Sequence, residues 1–260
     1  MITGWRARLG FLIPAGTPTV EPEMFEMAPK GVSVHFSRMV ALGADGTLNG
    51  VEERITSQID NIDLTTQLMA AMKPNVIVLA HTATCYRLGR DKQVTLAAHL
   101  EKLTGVRFIT VLQSVVEALK ALCVRRIALA TPYDETLTMK AKVGLESYGI
   151  EVVNLEWLKN VRSIFDETPA RAYGLGRSVD RPEADAVFFS GVGMPTISVL
   201  EQLESDLGKP VISSAGSMMW NALRVAGVET SIPGYGRLLA APPTAASVAA
   251  VGKFISQPNP

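Results

Sequence analysis

Cysteine and histidine are scarce in this chain, with two of the first and three of the second in 260 residues. Cys85 and Cys123 form no spaced set with His35, His81 or His99, so no metal site is expected and two cysteines fit a reducing compartment. Net charge is missing as well. Twenty-five Lys and Arg balance 25 Asp and Glu, and no basic block or basic-aromatic alternation occurs, so neither nucleic acid nor a membrane surface is an expected partner. No apolar run approaches the ~20 residues that cross a bilayer. After Arg6 and Arg8 the only apolar run before Pro14 is residues 9–13, too short for a signal h-region, and the expected location is cytoplasmic. What is present is 47% hydrophobic residues against 19% charged, enough to fill the cores of one large or two small domains.

The most informative pattern is a duplication. Residues 76–83 and 187–193 are each a short apolar run that stops abruptly at small or polar residues, about 110 positions apart. Downstream, 107–119 is echoed by 210–223. Strands are expected near 7–13, 32–38, 75–80, 107–111, 125–130, 151–156, 185–190 and 209–213. Helices are expected over 51–72, 93–103, 114–122, 135–148, 168–179, 196–207 and 217–225, where apolar residues recur at three- and four-residue intervals. Strand and helix in alternation predict an α/β fold of two similar domains with mostly parallel sheets. The expected division is 1–115 plus 226–260 against 116–225, with a helix over 243–254. Ser114, Asp134 and Ser217 are expected helix N-caps.

Ligands of open α/β sheets bind beyond the carboxyl ends of strands, and the candidate residues lie there. His81 follows the strand at 76–80, where an imidazole titrating near neutrality is placed to move protons; a histidine hydrogen-bonded to structure is the alternative. Cys85, one turn on, is either a nucleophile or acid, or buried packing. Thr17, in the Pro-rich loop 14–23, offers a hydroxyl or simply belongs to a turn. Gly191, Val192 and Gly193 offer backbone amides to a carboxylate or oxyanion, or form a tight turn. Tyr133, after the strand at 125–130, reaches the same cleft or caps the sheet. Neither Gly174-Leu-Gly176 nor Gly234-Tyr-Gly236 follows a strand and opens a helix, so no dinucleotide cofactor is expected.

Several segments resemble the aspartate/glutamate racemase superfamily, in its maleate cis-trans isomerase and arylmalonate decarboxylase branch. Pro14-Ala-Gly-Thr-Pro-Thr-Val-Glu-Pro-Glu23, Val34-His-Phe-Ser-Arg-Met39 and Ala128-Leu-Ala-Thr-Pro-Tyr133 are similar to first-half and tyrosine-strand motifs of the isomerases. Ser190-Gly-Val-Gly-Met-Pro-Thr196, Gly208-Lys-Pro-Val-Ile-Ser-Ser214 and Pro233-Gly-Tyr-Gly-Arg-Leu238 resemble second-half motifs shared with the decarboxylases. The resemblance spans nearly the whole chain. It implies two α/β domains about a pseudo-twofold axis, a cofactor-free site between them, a small carboxylic or dicarboxylic acid as substrate, and a homo-oligomer.

It also implies a departure. The family's cysteine positions align with His81 and Gly191, and neither is cysteine; Thr17 stands where the isomerases commonly carry asparagine. Thr82 and Tyr133 match residues that hold a substrate carboxylate. The expected function is a cofactor-independent isomerase or decarboxylase-like lyase with His81 moving the proton and Cys85 auxiliary. With no acid at position 191 to serve the opposite face, racemisation ranks below one-sided chemistry. The alternative is a carboxylate-binding protein that lost turnover with its cysteines.

Overall fold

The computed structural model describes residues 2–41 and 50–241. Eight strands form two four-stranded parallel sheets of the same order. The first is β2 (Val32–Arg38), β1 (Ala7–Ile13), β3 (Val76–Leu79) and β4 (Arg107–Thr110). The second is β6 (Glu151–Trp157), β5 (Arg126–Thr131), β7 (Ala186–Phe189) and β8 (Val211–Ser213). The central strands β3 and β7 are buried at every position, which is why they read as unbroken apolar runs rather than as alternation.

The two registers superimpose. Leu12 of β1 pairs with Leu79, and Leu79 with Thr110; Ala130 of β5 pairs with Phe189, and Phe189 with Ser213. His81 and Gly191 each lie two residues past the equivalent pair, so the duplication brings them to matching strand ends.

Helices cover the sheets: α1 (Val20–Met27), α2 (Val51–Asp60), α3 (Ile62–Ala70), α4 (Thr82–Thr104), α5 (Val111–Ala121), α6 (Glu135–Glu146), α7 (Pro169–Val179), α8 (Ile197–Leu207), α9 (Ser214–Val225) and the short α10 (Arg237–Ala240). The helix expected over 51–72 is two, broken at Asn61. That expected over 93–103 is only the later part of α4, which starts at Thr82 and is interrupted where Gly89 adopts φ 72°. Asp134 caps α6 as expected, accepting from Leu137 N at 2.8 Å. The other two caps lie one turn earlier than expected. Thr110 Oγ1 accepts from Gln113 N and Ser213 Oγ from Gly216 N, each at 3.1 Å, so α5 and α9 begin where β4 and β8 end. Ser114, inside its helix, instead donates to Thr110 O at 2.9 Å.

The halves join through α5 and α9, which pack on each other and share a bond from Asn221 Nδ2 to Ser114 Oγ at 3.1 Å. α9 also lies against α1, β1 and β3, so the chain reaches the first sheet with α9, before residue 226. The helix expected over 243–254 lies outside the described residues.

Candidate active site

His81 is the residue before α4, with extended backbone (φ −142°, ψ 100°). Its side chain does not cap the helix. Nδ1 lies 2.8 Å from Thr84 Oγ1, and Thr84 in turn donates to Gln58 Oε1 at 3.2 Å. A hydroxyl that has given its only hydrogen to Gln58 can only accept from the ring. Nδ1 therefore carries the hydrogen and Nε2 is left as the basic nitrogen. Desolvation by the surrounding protein, then the positive charge of Arg54, lower the His81 pKa to about 4, so the half-buried ring is neutral at pH 7. The next residue, Thr82, is fully buried and its Oγ1 has no hydrogen-bond partner among the described residues.

On the second half, β7 ends at Phe189 and Ser190 N donates to Ala130 O at 2.8 Å. Ser190 Oγ lies 2.8 Å from the Tyr86 hydroxyl of α4, a fully enclosed contact between the halves. Gly191 follows with φ 105°, a backbone state that side chains rarely accept. A Cβ there would stand 2.9 Å from the Pro132 ring and 3.0 Å from the Tyr133 hydroxyl. The Gly191 amide is already engaged, donating to Ser214 Oγ at 3.2 Å. This corrects the expectation of three free amides: Gly191 contributes space, and the buried Val192 and Gly193 amides are those without a protein acceptor among the described residues.

Tyr133 bridges the halves. It is buried, and burial raises its pKa to about 12, with the Thr82 and Ser190 hydroxyls beside it acting in the opposite sense. Thr17, in the loop after β1, is fully buried with Oγ1 unpartnered among the described residues. Arg38 fixes that loop by donating to the Ala15 and Thr17 carbonyls at 2.8 and 3.1 Å. Thr19 Oγ1 donates to Gly193 O at 3.1 Å, which ties the loop to the second half. Cys85 lies deeper. Its side chain is fully buried beside Thr110, Val111 and Leu112, and burial pushes the thiol up to about 12, so it is a thiol and not a thiolate at neutral pH.

Thr82 of the first half thus comes together with Tyr133 and Ser190 of the second, with Gly191 against the Tyr133 hydroxyl, while the His81 ring, at the end of β3, is held by Thr84 on the first half. Sequence reasoning did not single out Gln58, Thr84, Tyr86 or Glu23. Tyr86 falls one helical turn after Thr82, a spacing visible only once α4 is known to start at Thr82; Glu23 and Gln58 act across the fold and leave no local signal. Two surface hollows, one lined by Trp157, Lys159 and Arg171 and the other by His35, Phe36 and Met72, hold none of these residues. Among the described residues no group of three acidic, His or Cys side chains could hold a metal ion, and no helix is long and apolar enough to cross a membrane.

The chain and its fold have known counterparts. The maleate isomerase of Nocardia farcinica is 29% identical over 252 residues, covering 89% of this chain and 95% of that one. The arylmalonate decarboxylase of Bordetella bronchiseptica is 29% identical over 174 residues, covering 63% and 70%. The fold matches a variant of the Nocardia farcinica maleate cis-trans isomerase with a covalently bound succinylcysteine intermediate, at a TM-score of 0.81 and 25% identity over 90% of this chain and 98% of that one. A sequence model of one family, arylmalonate decarboxylase, matches residues 9–239. The chain belongs to the arylmalonate decarboxylase family, in the maleate isomerase and decarboxylase branch of the aspartate/glutamate racemase superfamily.

Proposed function

We propose that the protein is a cofactor-independent isomerase or decarboxylase-like lyase acting on a small carboxylic or dicarboxylic acid. The observation that carries this reading is a neutral imidazole at the end of β3, its Nε2 left as the basic nitrogen, on the same carboxyl edge as the Thr82 hydroxyl beside Tyr133 and as buried groups without a protein partner among the described residues: the Thr17 hydroxyl and the Val192 and Gly193 amides. Buried donors without acceptors are costly unless a ligand supplies them, and these suit the oxygens of a carboxylate or of an enediolate formed from it. His81 is the proton-moving group, and Thr17, Thr82, Tyr133, Val192 and Gly193 hold the anion, with Gly191 leaving room for it. The buried, protonated Cys85 is a poor nucleophile in this scheme. Relatives named maleate isomerase and arylmalonate decarboxylase support the substrate class. The reading includes a cytoplasmic location and a homo-oligomer; Leu64 and Leu68, 55% and 64% exposed on one face of α3, support self-association.

Proton NMR in D₂O tests it, with the protein incubated separately with maleate, phenylmalonate and a panel of small hydroxy-, keto- and amino-acids. Product or deuterium exchange that disappears in His81→Gln supports the reading. A second reading, a carboxylate-binding protein without turnover, is favoured by the absence of cysteine at both strand ends: a relative forms a succinylcysteine, and Gly191 has no side chain. Ligand-induced shifts with no product and no exchange would establish it.

A further inference from the structure

We infer that Tyr86 is a positioning residue for carboxylate binding: from the first half its hydroxyl holds Ser190 of the second, and through Ser190 it keeps the Tyr133 hydroxyl turned toward the anion. The inference deepens the reading just proposed and rests on it.

The start of α4 gives the argument. Thr82 and Tyr86 are one helical turn apart and lie on a single face of the helix, and both meet the second half. Thr82 has Tyr133 beside it, and Tyr86 Oη lies 2.8 Å from Ser190 Oγ. Ser190 also stands beside Tyr133, so these side chains form a tie from α4 across the junction to the ends of β5 and β7. The neighbouring helix makes room for it. A Cβ on Gly144 of α6 would stand 2.9 Å from the Tyr86 ring, so the ring keeps its place because position 144 has no side chain.

The hydrogens of the tie can be counted. Tyr86 is buried, its hydroxyl has Ser190 Oγ as hydrogen-bond partner among the described residues, and burial raises its pKa well above the ordinary value, so the hydrogen is present at neutral pH. A phenol has a more acidic O–H than an aliphatic alcohol and shares its lone pair with the ring, so the bond runs from Tyr86 Oη to Ser190 Oγ. Ser190 then keeps its own hydrogen for Tyr133. Tyr133 accepts that hydrogen and turns its own outward to a carboxylate oxygen. Each bond in such a chain polarises the next, so Tyr86 strengthens and aims a donor without touching the anion itself. When the Tyr86 hydroxyl is removed, Ser190 rotates freely and Tyr133 spends its hydrogen on Ser190.

The test is calorimetric binding of succinate and phenylacetate, which present a carboxylate without net reaction. Tyr86→Phe should weaken binding about fivefold to tenfold, and Tyr133→Phe by as much or more. In a Tyr133→Phe background, Tyr86→Phe should add nothing further, because the hydroxyl it acts through is gone. For any acid of the NMR panel that wild type converts, KM should carry the same loss in Tyr86→Phe while kcat changes less than about threefold. Gly144→Ala should reproduce the loss of affinity by displacing the ring, although alanine is the better residue at an ordinary helix position, and it decides the matter should Tyr86→Phe fail to fold. Unfolding temperatures report separately on structure. A Tyr86→Phe protein whose affinity is unchanged, or is weakened equally with and without the Tyr133 hydroxyl, overturns the inference and leaves the proposed function standing. A wild type that binds neither acid and converts none of the panel overturns both.

Discussion

Glu23 of α1 accepts hydrogen bonds through one carboxylate oxygen from Thr196 N at 2.8 Å and Ile197 N at 3.2 Å, capping α8 of the other half from a distance of 173 residues in sequence. Thr196 makes no cap of its own with its side chain, so Glu23 supplies one in its place. The second oxygen of Glu23 is buried without a partner. Desolvation consequently outweighs the two amides, with Glu26 adding repulsion, and raises the Glu23 pKa from 4.5 to about 7. The contact holds the loop after β1 against the Gly191–Thr196 turn, and so helps fix the geometry of the site.

A pH prediction follows from the sign. A carboxyl whose folded pKa is raised is best tolerated when protonated, so its contribution is fully present below pH 4.5 and is lost as pH rises through about 7. At about 1.4 kcal/mol per pKa unit the loss is about 3 kcal/mol. His81, with its pKa lowered to about 4, has the opposite slope: stability is lost as pH falls from 6.5 through 4. The two slopes oppose each other between pH 4.5 and 6.5. Glu23→Gln keeps an accepting oxygen and removes the titration, so urea unfolding of that variant should show stability rising with pH across this window. His81→Gln should show it falling. Parallel pH profiles for wild type and Glu23→Gln would contradict the burial argument.

The same histidine sets the activity profile. Above pH 5 the Nε2 lone pair is available, and Thr84 and Gln58 hold it in that tautomer. The acid limb of kcat/KM should therefore fall near pH 4, well below the ordinary imidazole value. Thr84→Val removes the acceptor from Nδ1–H and frees the ring to rotate; kcat should fall about tenfold to a hundredfold, with a stability loss of about 1–3 kcal/mol for the unpaired Nδ1–H and Gln58 Oε1. An acid limb near 6.5 in wild type would mean that the ring is in contact with water in the free enzyme and would contradict the burial argument.

Gly191 is the residue whose replacement should be least tolerated. Its φ of 105° strains any other residue by about 1–3 kcal/mol, and the new Cβ meets Pro132 and the Tyr133 hydroxyl at 3.0 Å or less. Gly191→Ala should lower the unfolding midpoint and reduce turnover at least tenfold by displacing Tyr133. Gly191→Cys should be no more active than Gly191→Ala, although it brings a thiol to the strand end. Full activity in either would show that the strand end can flatten.

Much of this was legible in the sequence, and the misses share a cause. The ends of β1 and β2 fall where the flanking residues place them, because those strands are bounded by glycine, proline and charged residues. At β4 and β8 the apolar run passes from strand to helix without a loop: Phe108, Ile109, Val111 and Leu112 are all buried. Periodicity cannot mark that boundary, and the caps at Thr110 and Ser213 were displaced by one turn. The site divided in the same way. His81, Thr82 and Tyr133 stand out in the sequence because each follows a strand, whereas the Tyr86–Ser190 and Glu23–Thr196 contacts join residues more than 100 positions apart and exist only after the halves meet.

Cys85 provides the last check on which first-half residue works. It is fully buried, Gln93 Nε2 donates to its carbonyl at 3.0 Å, and its thiol is held protonated, whereas Cys123 is exposed. Native protein should react with one equivalent of a thiol reagent, and denatured protein with two. Cys85→Ala should retain kcat within about twofold, at a stability cost of about 1–2 kcal/mol for the small cavity. That outcome leaves His81 as the proton carrier of the first half. Loss of turnover in a Cys85→Ala protein with native unfolding behaviour would transfer the role to the thiol, and would require the start of α4 to open when substrate binds.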